Sequence, residues 1–189
     1  MKKRFSDYRL KEHLLGPEGV AEAVEYLALE SNKRWSHKDL VMIGIQTGGV
    51  FLAVRINEVR QKQGLPALPL GVLDITLYRD DVFSGSVQPD VKTTNIPFNI
   101  GNKRILLVDD VLYTGRTVRA ALDCLTDFGR PGFIRLVTLV DRLAKEYPIC
   151  SDLAAVAVRK ASASQTVRVQ LKEMGFDRDE IVVYEKEGK

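Results

Sequence analysis

Residues 104–117 read RILLVDDVLYTGRT. Four apolar residues, Ile105, Leu106, Leu107 and Val108, run straight into two carboxylates, Asp109 and Asp110. A short unbroken apolar run is what a strand buried on both faces needs. Such a strand delivers the carboxylates to the carboxyl end of a sheet, where open α/β folds bind their ligands. Val111, Leu112 and Tyr113 follow, and Thr114-Gly115-Arg116-Thr117 then opens a helix. Small residues there let backbone N–H groups close on a phosphate, and a helix N-terminus adds unpaired donors and the positive end of its dipole. Thr114 and Thr117 add hydroxyl donors, while adjacent carboxylates accept from paired hydroxyls such as those of a ribose. Taken singly, Asp-Asp and Thr-Gly are an ordinary polar turn. Their order and spacing after the apolar run are what mark a sugar-phosphate site. GxxxxGK[ST] is absent, which excludes a P-loop, and GxGxxG is absent, which argues against a dinucleotide site.

Working outward, Leu40–Ile45 is a second apolar run, followed by the turn Gln46-Thr47-Gly48-Gly49 and a helix over Val50–Gln63 that Gly64 and Pro66 stop. Pro17 opens an earlier helix, with Val20, Val24 and Leu27 as its apolar face, ending near Asn32-Lys33. Leu70–Tyr78 reads as a strand, Thr117–Phe128 as a helix closed by Gly129, and Phe133–Val140 as another strand. Shorter strands near Leu153–Val158, Thr166–Leu171 and Ile181–Tyr184 are expected to finish the same sheet. Strand and helix alternate, which predicts an α/β fold: a central, mainly parallel sheet with helices on both faces. Arg79 to Asn95 has no periodicity, and a loop of that length is usually functional. Residues 1–15 form a basic arm without a clear element, part of it mobile; residues 16–189 are expected to form a single domain, as the 189-residue length suggests.

Composition excludes little. Apolar residues are 45% and charged residues 28%, as in ordinary globular proteins, and the net charge of +3 does not announce a nucleic-acid binder. Cys124 and Cys150 lack CxxC spacing and read as two reduced, buried thiols. The basic start, MKKRFSDYRLKEHLL, has no apolar region after it, so no signal peptide is expected. No stretch approaches the ~20 apolar residues that span a bilayer. The expectation is a cytoplasmic protein without membrane contact.

Residues 105–117 resemble the phosphoribosyl pyrophosphate (PRPP) signature of type I phosphoribosyltransferases. The segments DITLYRDD (74–81), VDDVLYTGRTVRAALD (108–123), DFGRP (127–131), LVDR (139–142) and VQL (169–171) are similar to the PyrR family of pyrimidine operon regulators. That family combines mRNA-dependent attenuation with uracil phosphoribosyltransferase activity. The likeness runs over roughly residues 17–185. It implies the type I phosphoribosyltransferase fold, with a small hood near residues 141–170 and a flexible lid loop at 79–95. PRPP, uracil and UMP are the implied ligands, with Mg²⁺ carried by PRPP near Asp109 and Asp110 rather than on dedicated ligands. A homodimer or higher homo-oligomer is implied as well.

The resemblance also implies roles. Asp109 and Asp110 hold the ribose hydroxyls, and Tyr113, Thr114, Gly115, Arg116 and Thr117 cradle the 5′-phosphate. Thr47, Gly48 and Gly49 form the pyrophosphate loop. Asp141, Arg142 and the backbone near Val167 form the pyrimidine hood. Arg79, at the lid edge, is a candidate to take part of the leaving charge, where one well-placed donor is worth about 2.7–4 kcal/mol. Its bland alternative is a surface ion pair with Asp80 or Asp81, worth ~0–1 kcal/mol. No general base is evident, because Tyr113 stands where some relatives carry a carboxylate, and a phenol is a poor base at neutral pH. Slow turnover is expected.

Several positions depart from the family. Its pyrophosphate loop usually carries basic residues in the manner of K-T-R-G; here Gln46-Thr47-Gly48-Gly49 has none, which predicts weaker PRPP binding that Gly48→Arg would restore. Leu143-Ala144-Lys145 replaces Gly-His-Arg after LVDR, and Cys150 and Val156 stand where Arg and Lys are usual. The first helix carries Glu18, Glu22, Glu25 and Glu30 with no Lys or Arg from 17 to 32. Acidic side chains repel a phosphate backbone. Two readings follow: a uracil phosphoribosyltransferase, or an RNA-binding attenuator that senses UMP through the same pocket and binds an mRNA leader. The acidic helix weighs against the second, although Lys2, Lys3, Arg4, Arg9 and Lys11 of the arm could compensate. LYRDD together with VLYTGRT argues against a purine-directed transferase.

Overall fold

A computed structural model describes residues 7–80, 93–158 and 164–187. Its centre is a five-stranded sheet in the order β3-β2-β4-β5-β6. β2 is Leu40–Ile45, β3 Leu70–Leu73, β4 Arg104–Leu112, β5 Phe133–Asp141 and β6 Leu153–Ala157. Every neighbouring pair is parallel, as the long continuous apolar runs require. Side chains alternate between two cores. Leu40, Met42, Leu106, Val108, Val137 and Leu139 face helices α1 (Pro17–Trp35) and α2 (Gly48–Lys62). Val41, Ile43, Ile45, Ile105, Leu107 and Leu136 face α3 (Arg116–Phe128). Full burial of one such side chain stabilises the fold by about 1.5–3 kcal/mol.

The strand order places the site. From β2 the chain crosses through α2 to β3 on one side; from β4 it crosses through α3 to β5 on the other. The strand order therefore reverses between β2 and β4. The crevice at their carboxyl ends is where a doubly wound sheet takes its ligand.

Four expectations need correction. Residues 8–15 form β1 (Tyr8–Leu15), paired antiparallel with β8 (Glu180–Lys186). Arg9 and Lys11 of β1 reach Glu185 at 3.3 and 2.8 Å. These cross-strand pairs explain how a polar segment becomes a strand. β7 (Gln165–Gln170) and β8 do not complete the parallel sheet; with β1 they form a separate three-stranded antiparallel sheet in the order β1-β8-β7. The strand at residue 70 ends at Leu73, because Asp74 turns the chain. Its Oδ1 accepts from the Thr76 N–H at 3.0 Å and the Thr76 hydroxyl at 2.6 Å, and a 3₁₀ turn follows over Thr76–Tyr78. Cys124 is buried but Cys150 is exposed.

The proposed lid falls largely on residues 81–92, outside the described residues. Its far end returns to the sheet edge, where Asn95 and Val72 exchange two backbone hydrogen bonds of 2.8 Å. Among the described residues no helix is long and apolar enough to cross a membrane.

Candidate active site at the carboxyl ends of β2 and β4

Two cavities open at the crevice and share Val111. The first, about 270 Å³, is lined by Arg79, Asp80 and the continuous run Val111–Thr117. Gly115 is the residue that shapes it. It caps α3 with φ +91°, a backbone conformation that side-chain-bearing residues rarely adopt. The turn is braced from behind: the Thr114 carbonyl accepts from the Glu146 and Tyr147 N–H groups at 2.9 and 3.0 Å. The first turn of α3, Arg116 and Thr117, thus borders the cavity, and a helix N-terminus there suits an anion; the Arg116 N–H also donates to Thr114 Oγ1 at 3.4 Å.

Arg116 begins α3, but its guanidinium is engaged by two carboxylates, Glu146 at 2.6 Å and Asp80 at 2.5 Å. Asp80 therefore pairs with Arg116, while Asp81, the other ion-pair partner considered for Arg79, lies outside the described residues. Arg79 lines the same cavity, and its charge acts on Asp109.

The second cavity, about 300 Å³, is lined by Thr47, Gly48, Asp110, Val111, Val167, Arg168, Val169 and Met174. Thr47 and Gly48 come from the turn after β2, whose Gln46–Thr47 peptide is cis. This turn lies hard against β4. A Cβ on Gly48 would come 2.5 Å from Asp110 Cγ, and one on Gly49 would come 3.0 Å from Asp109 Cα. The Asp110 carboxylate already fills the space a side chain at 48 would need. The idea that Gly48→Arg would restore affinity is thereby corrected: in this packing it would displace Asp110 first.

Asp109 and Asp110 finish the buried part of β4. Asp109 Oδ1 accepts the Asp110 N–H at 3.0 Å, and Asp110 Oδ1 accepts the Val111 N–H at 2.9 Å. Asp109 is 5% exposed. Burial, then the neighbouring Asp110 charge, pushes the Asp109 carboxyl well above the usual carboxylate range. Burial pushes Asp110 up as well, opposed by hydrogen bonds and by the charge of Arg168. A buried carboxylate beside a half-buried one is a donor pair that suits a hard divalent cation, which would add to the positive charge Arg79 and Arg168 already bring. Among the described residues no group of three or more His, Cys, Asp or Glu is placed to hold a metal.

Asp141 and Arg142 stand at the end of β5. Asp141 accepts the Leu143 N–H at 2.8 Å and is ion-paired with Lys145, so the departure at 143–145 neutralises Asp141 from within its own turn. Arg142 is 4% exposed. Its guanidinium stacks 3.7 Å from the Tyr113 ring centroid and donates to the Gln165 carbonyl at 2.8 Å, while its Nε is buried without a partner. Arg142 thus ties the end of β5 to Tyr113 and to the start of β7. Val167 is buried in the core and its strand lines the Thr47–Asp110 cavity. Neither cavity lining includes Asp141 or Arg142.

Two residues escaped the sequence reading: Glu146, which clamps Arg116 together with Asp80, and Arg168, which enters the second cavity from β7. The visible signal for Arg168 was a lone cation between two β-branched residues in VRV. It has a bland reading as the solvent side of a strand.

The profile of the Phosphoribosyl transferase domain family matches residues 13–172. The chain is 49% identical over 161 residues to the bifunctional protein PyrR of Syntrophobacter fumaroxidans, covering 84% of this chain and 86% of that one. It is 43% identical to the bifunctional protein PyrR of Thermus aquaticus, over 95% of this chain and 99% of that one. Among solved structures, a hypoxanthine phosphoribosyltransferase from Staphylococcus aureus superposes with a TM-score of 0.66 at 22% identity, covering 92% of each chain.

Proposed function

The chain belongs to the phosphoribosyl transferase family and to its PyrR branch, and from that membership we propose that it transfers the phosphoribosyl group of PRPP to uracil, giving UMP and pyrophosphate. One observation carries the assignment of the parts: the turn after β2 and the Asp110–Thr117 segment at the end of β4 and start of α3 meet at the strand-order reversal, in two cavities that share Val111.

In this reading the 5′-phosphate sits in the Tyr113–Thr117 turn, held by the N–H groups of α3 and the Thr114 and Thr117 hydroxyls. Asp109 and Asp110 accept the ribose hydroxyls. Thr47, Gly48 and Gly49 face the pyrophosphate with backbone donors. Asp141, Arg142 and the strand around Val167 hold uracil beside C1. The bond from C1 to the pyrophosphate oxygen breaks with its electron pair on the oxygen. The uracil N1–C1 bond forms as the N1 proton is lost to solvent. No side chain is assigned as general base. The protein orients the two reactants and keeps water from the oxocarbenium-like carbon. Mg²⁺ fits at Asp109 and Asp110 as part of the PRPP complex, and when bound it neutralises charge on the pyrophosphate.

Catalysis comes before RNA control in this proposal. The arm cations Arg9 and Lys11 are occupied by Glu185, and Lys33 and Arg34 of α1 lie 3.7 and 3.3 Å from Glu30. A gel shift with a pyrimidine-operon leader RNA tests the order, and tight binding stimulated by UMP would reverse it. Base choice is tested by pyrophosphate release from PRPP with uracil, hypoxanthine and guanine in parallel. Release with uracil alone is expected; release with a purine alone would overturn the assignment.

A further inference from the structure

The proposed pyrophosphate subsite poses a charge problem. The turn Gln46-Thr47-Gly48-Gly49 has no cationic side chain, and the nearest ionisable group of its cavity is the carboxylate of Asp110. The turn has no room to take on a cation at its glycines either. At 48 the space is filled by Asp110, and at 49 by the β4 backbone. A polyanion entering this cavity would meet backbone donors and a negative charge. Any cationic side chain has to come from another element.

We infer that Arg168 is that cation: β7 lays it across the cavity opposite Thr47 and Gly48, where it binds the pyrophosphate of PRPP. The inference rests on the reading of this cavity as the PRPP site and names the group that makes it workable in this chain. Arg168 is the one cation among the described residues lining the cavity. It sits close enough to Asp110 for the two charges to act on each other. Its position is fixed by its neighbours. Val167 and Val169 are buried at 5% and 4% exposure in the core beneath, and Arg168 is paired in register with Val182 of β8. The next ring of contacts, Gln170 Nε2 donating to Tyr184 Oη at 3.0 Å, holds the strand from its other end. A guanidinium presents a rigid fork that matches two phosphate oxygens, and charge-assisted bonds of this kind are about twice as strong as neutral ones.

The inference also separates two arginines. Arg79 lines the phosphate-turn cavity with Asp80, whereas Arg168 lines the cavity of Thr47 and Gly48. The leaving pyrophosphate is therefore assigned to Arg168. The antiparallel sheet β1-β8-β7, which carries it, becomes part of the site.

The test is calorimetric binding of pyrophosphate, PRPP and UMP, each with Mg²⁺, to the full-length wild type, Arg168→Gln and Arg168→Lys. UMP carries the 5′-phosphate but no pyrophosphate. Arg168→Gln is expected to weaken pyrophosphate and PRPP by about tenfold or more, as for loss of a charged donor, with UMP little changed. Arg168→Lys should recover part of the loss. Arg168→Met, which keeps an unbranched chain between the two valines, is the second neutral variant if the first unfolds. Unchanged PRPP binding in a folded neutral variant would overturn the inference, and so would equal losses for PRPP and UMP, which would mark a structural role through Asp110. A wild type that binds UMP but neither PRPP nor pyrophosphate would instead overturn the reading of the cavity itself.

Discussion

Replacing Gly44 by alanine asks how tightly the turn after β2 must be held. Gly44 lies on β2 between Val72 of β3 and Val108 of β4. A Cβ built there comes 2.6 Å from Val50 Cα, 2.8 Å from the Gly49 carbonyl oxygen and 2.9 Å from Val50 N. All three are backbone atoms, so no side chain can swing aside. Opening the 2.6 Å contact to an ordinary 3.4 Å requires a shift of ~0.8 Å, in a range where a misplacement of ~1 Å costs about 10²-fold in rate. The turn cannot move toward β4, because Gly48 and Gly49 already touch it. It must lift away and carry Thr47 and Gly48 with it. Overpacking of this kind destabilises by about 1–3 kcal/mol. The Tyr113–Thr117 turn hangs from β4 and α3 and stays in place. The expected result is a fall in kcat/KM for PRPP of about 30–100-fold, with UMP affinity little changed. Steady-state pyrophosphate release gives the first quantity, calorimetry with UMP the second, and urea unfolding the stability. Normal kcat/KM for PRPP in a protein that has lost the expected stability would contradict this, because the turn would then have moved without consequence.

Other expectations follow from the same geometry. Changing Asp109 and Asp110 together to Asn should abolish PRPP binding, and retained binding would remove the ribose assignment. The same variant should resist urea better than wild type at pH 7. Burial, with the neighbouring charge at Asp109, raises both carboxyls above the ordinary 3.8, so the folded chain holds protons longer and loses stability as pH climbs past that value; the gap should close below it. Glu185 is held down to about 2 by Lys11, Gln165 and Arg9, so its support for β1 is complete above the ordinary 4.5 and is lost as pH falls toward 2. Amide protection over Tyr8–Leu15 should follow that fall in wild type and be weak throughout in Glu185→Gln. Leu107→Ala, at a fully buried position on β4, should cost about 2–5 kcal/mol by urea unfolding.

What could be read from sequence was local. Ile105–Asp110 carries its own evidence: an apolar run, two carboxylates and a small-residue turn are contiguous, and the strand, the turn and α3 follow from neighbours in the chain. Strand existence was also legible at 165–170 and 180–186, but not their partners. They form their own sheet because β1, some 170 residues earlier, supplies its third strand and holds it with Arg9 and Lys11 on Glu185. No periodicity within residues 8–15 announces that, since most of their side chains are exposed and the strand exists through its partner. The end of β3 at Leu73 turned on one side chain, Asp74, whose bonds to Thr76 outweigh the strand preference of Ile75 and Thr76. The site divides the same way. Asp109 to Thr117 could be read directly, whereas Arg168 is joined to Thr47 and Gly48 only by the packing of β7 over the crevice.

In the proposed function the carboxyl ends of β2 and β4 hold a ribose 5-phosphate. The most direct test is amide chemical-shift mapping of the ¹⁵N-labelled chain during titration with UMP. The largest saturable shifts are expected at Asp109, Asp110 and Tyr113–Thr117, with Asp109 and Asp110 silent to UMP once both are Asn. Saturable binding whose shifts lie elsewhere, with Tyr113–Thr117 unmoved, would contradict it.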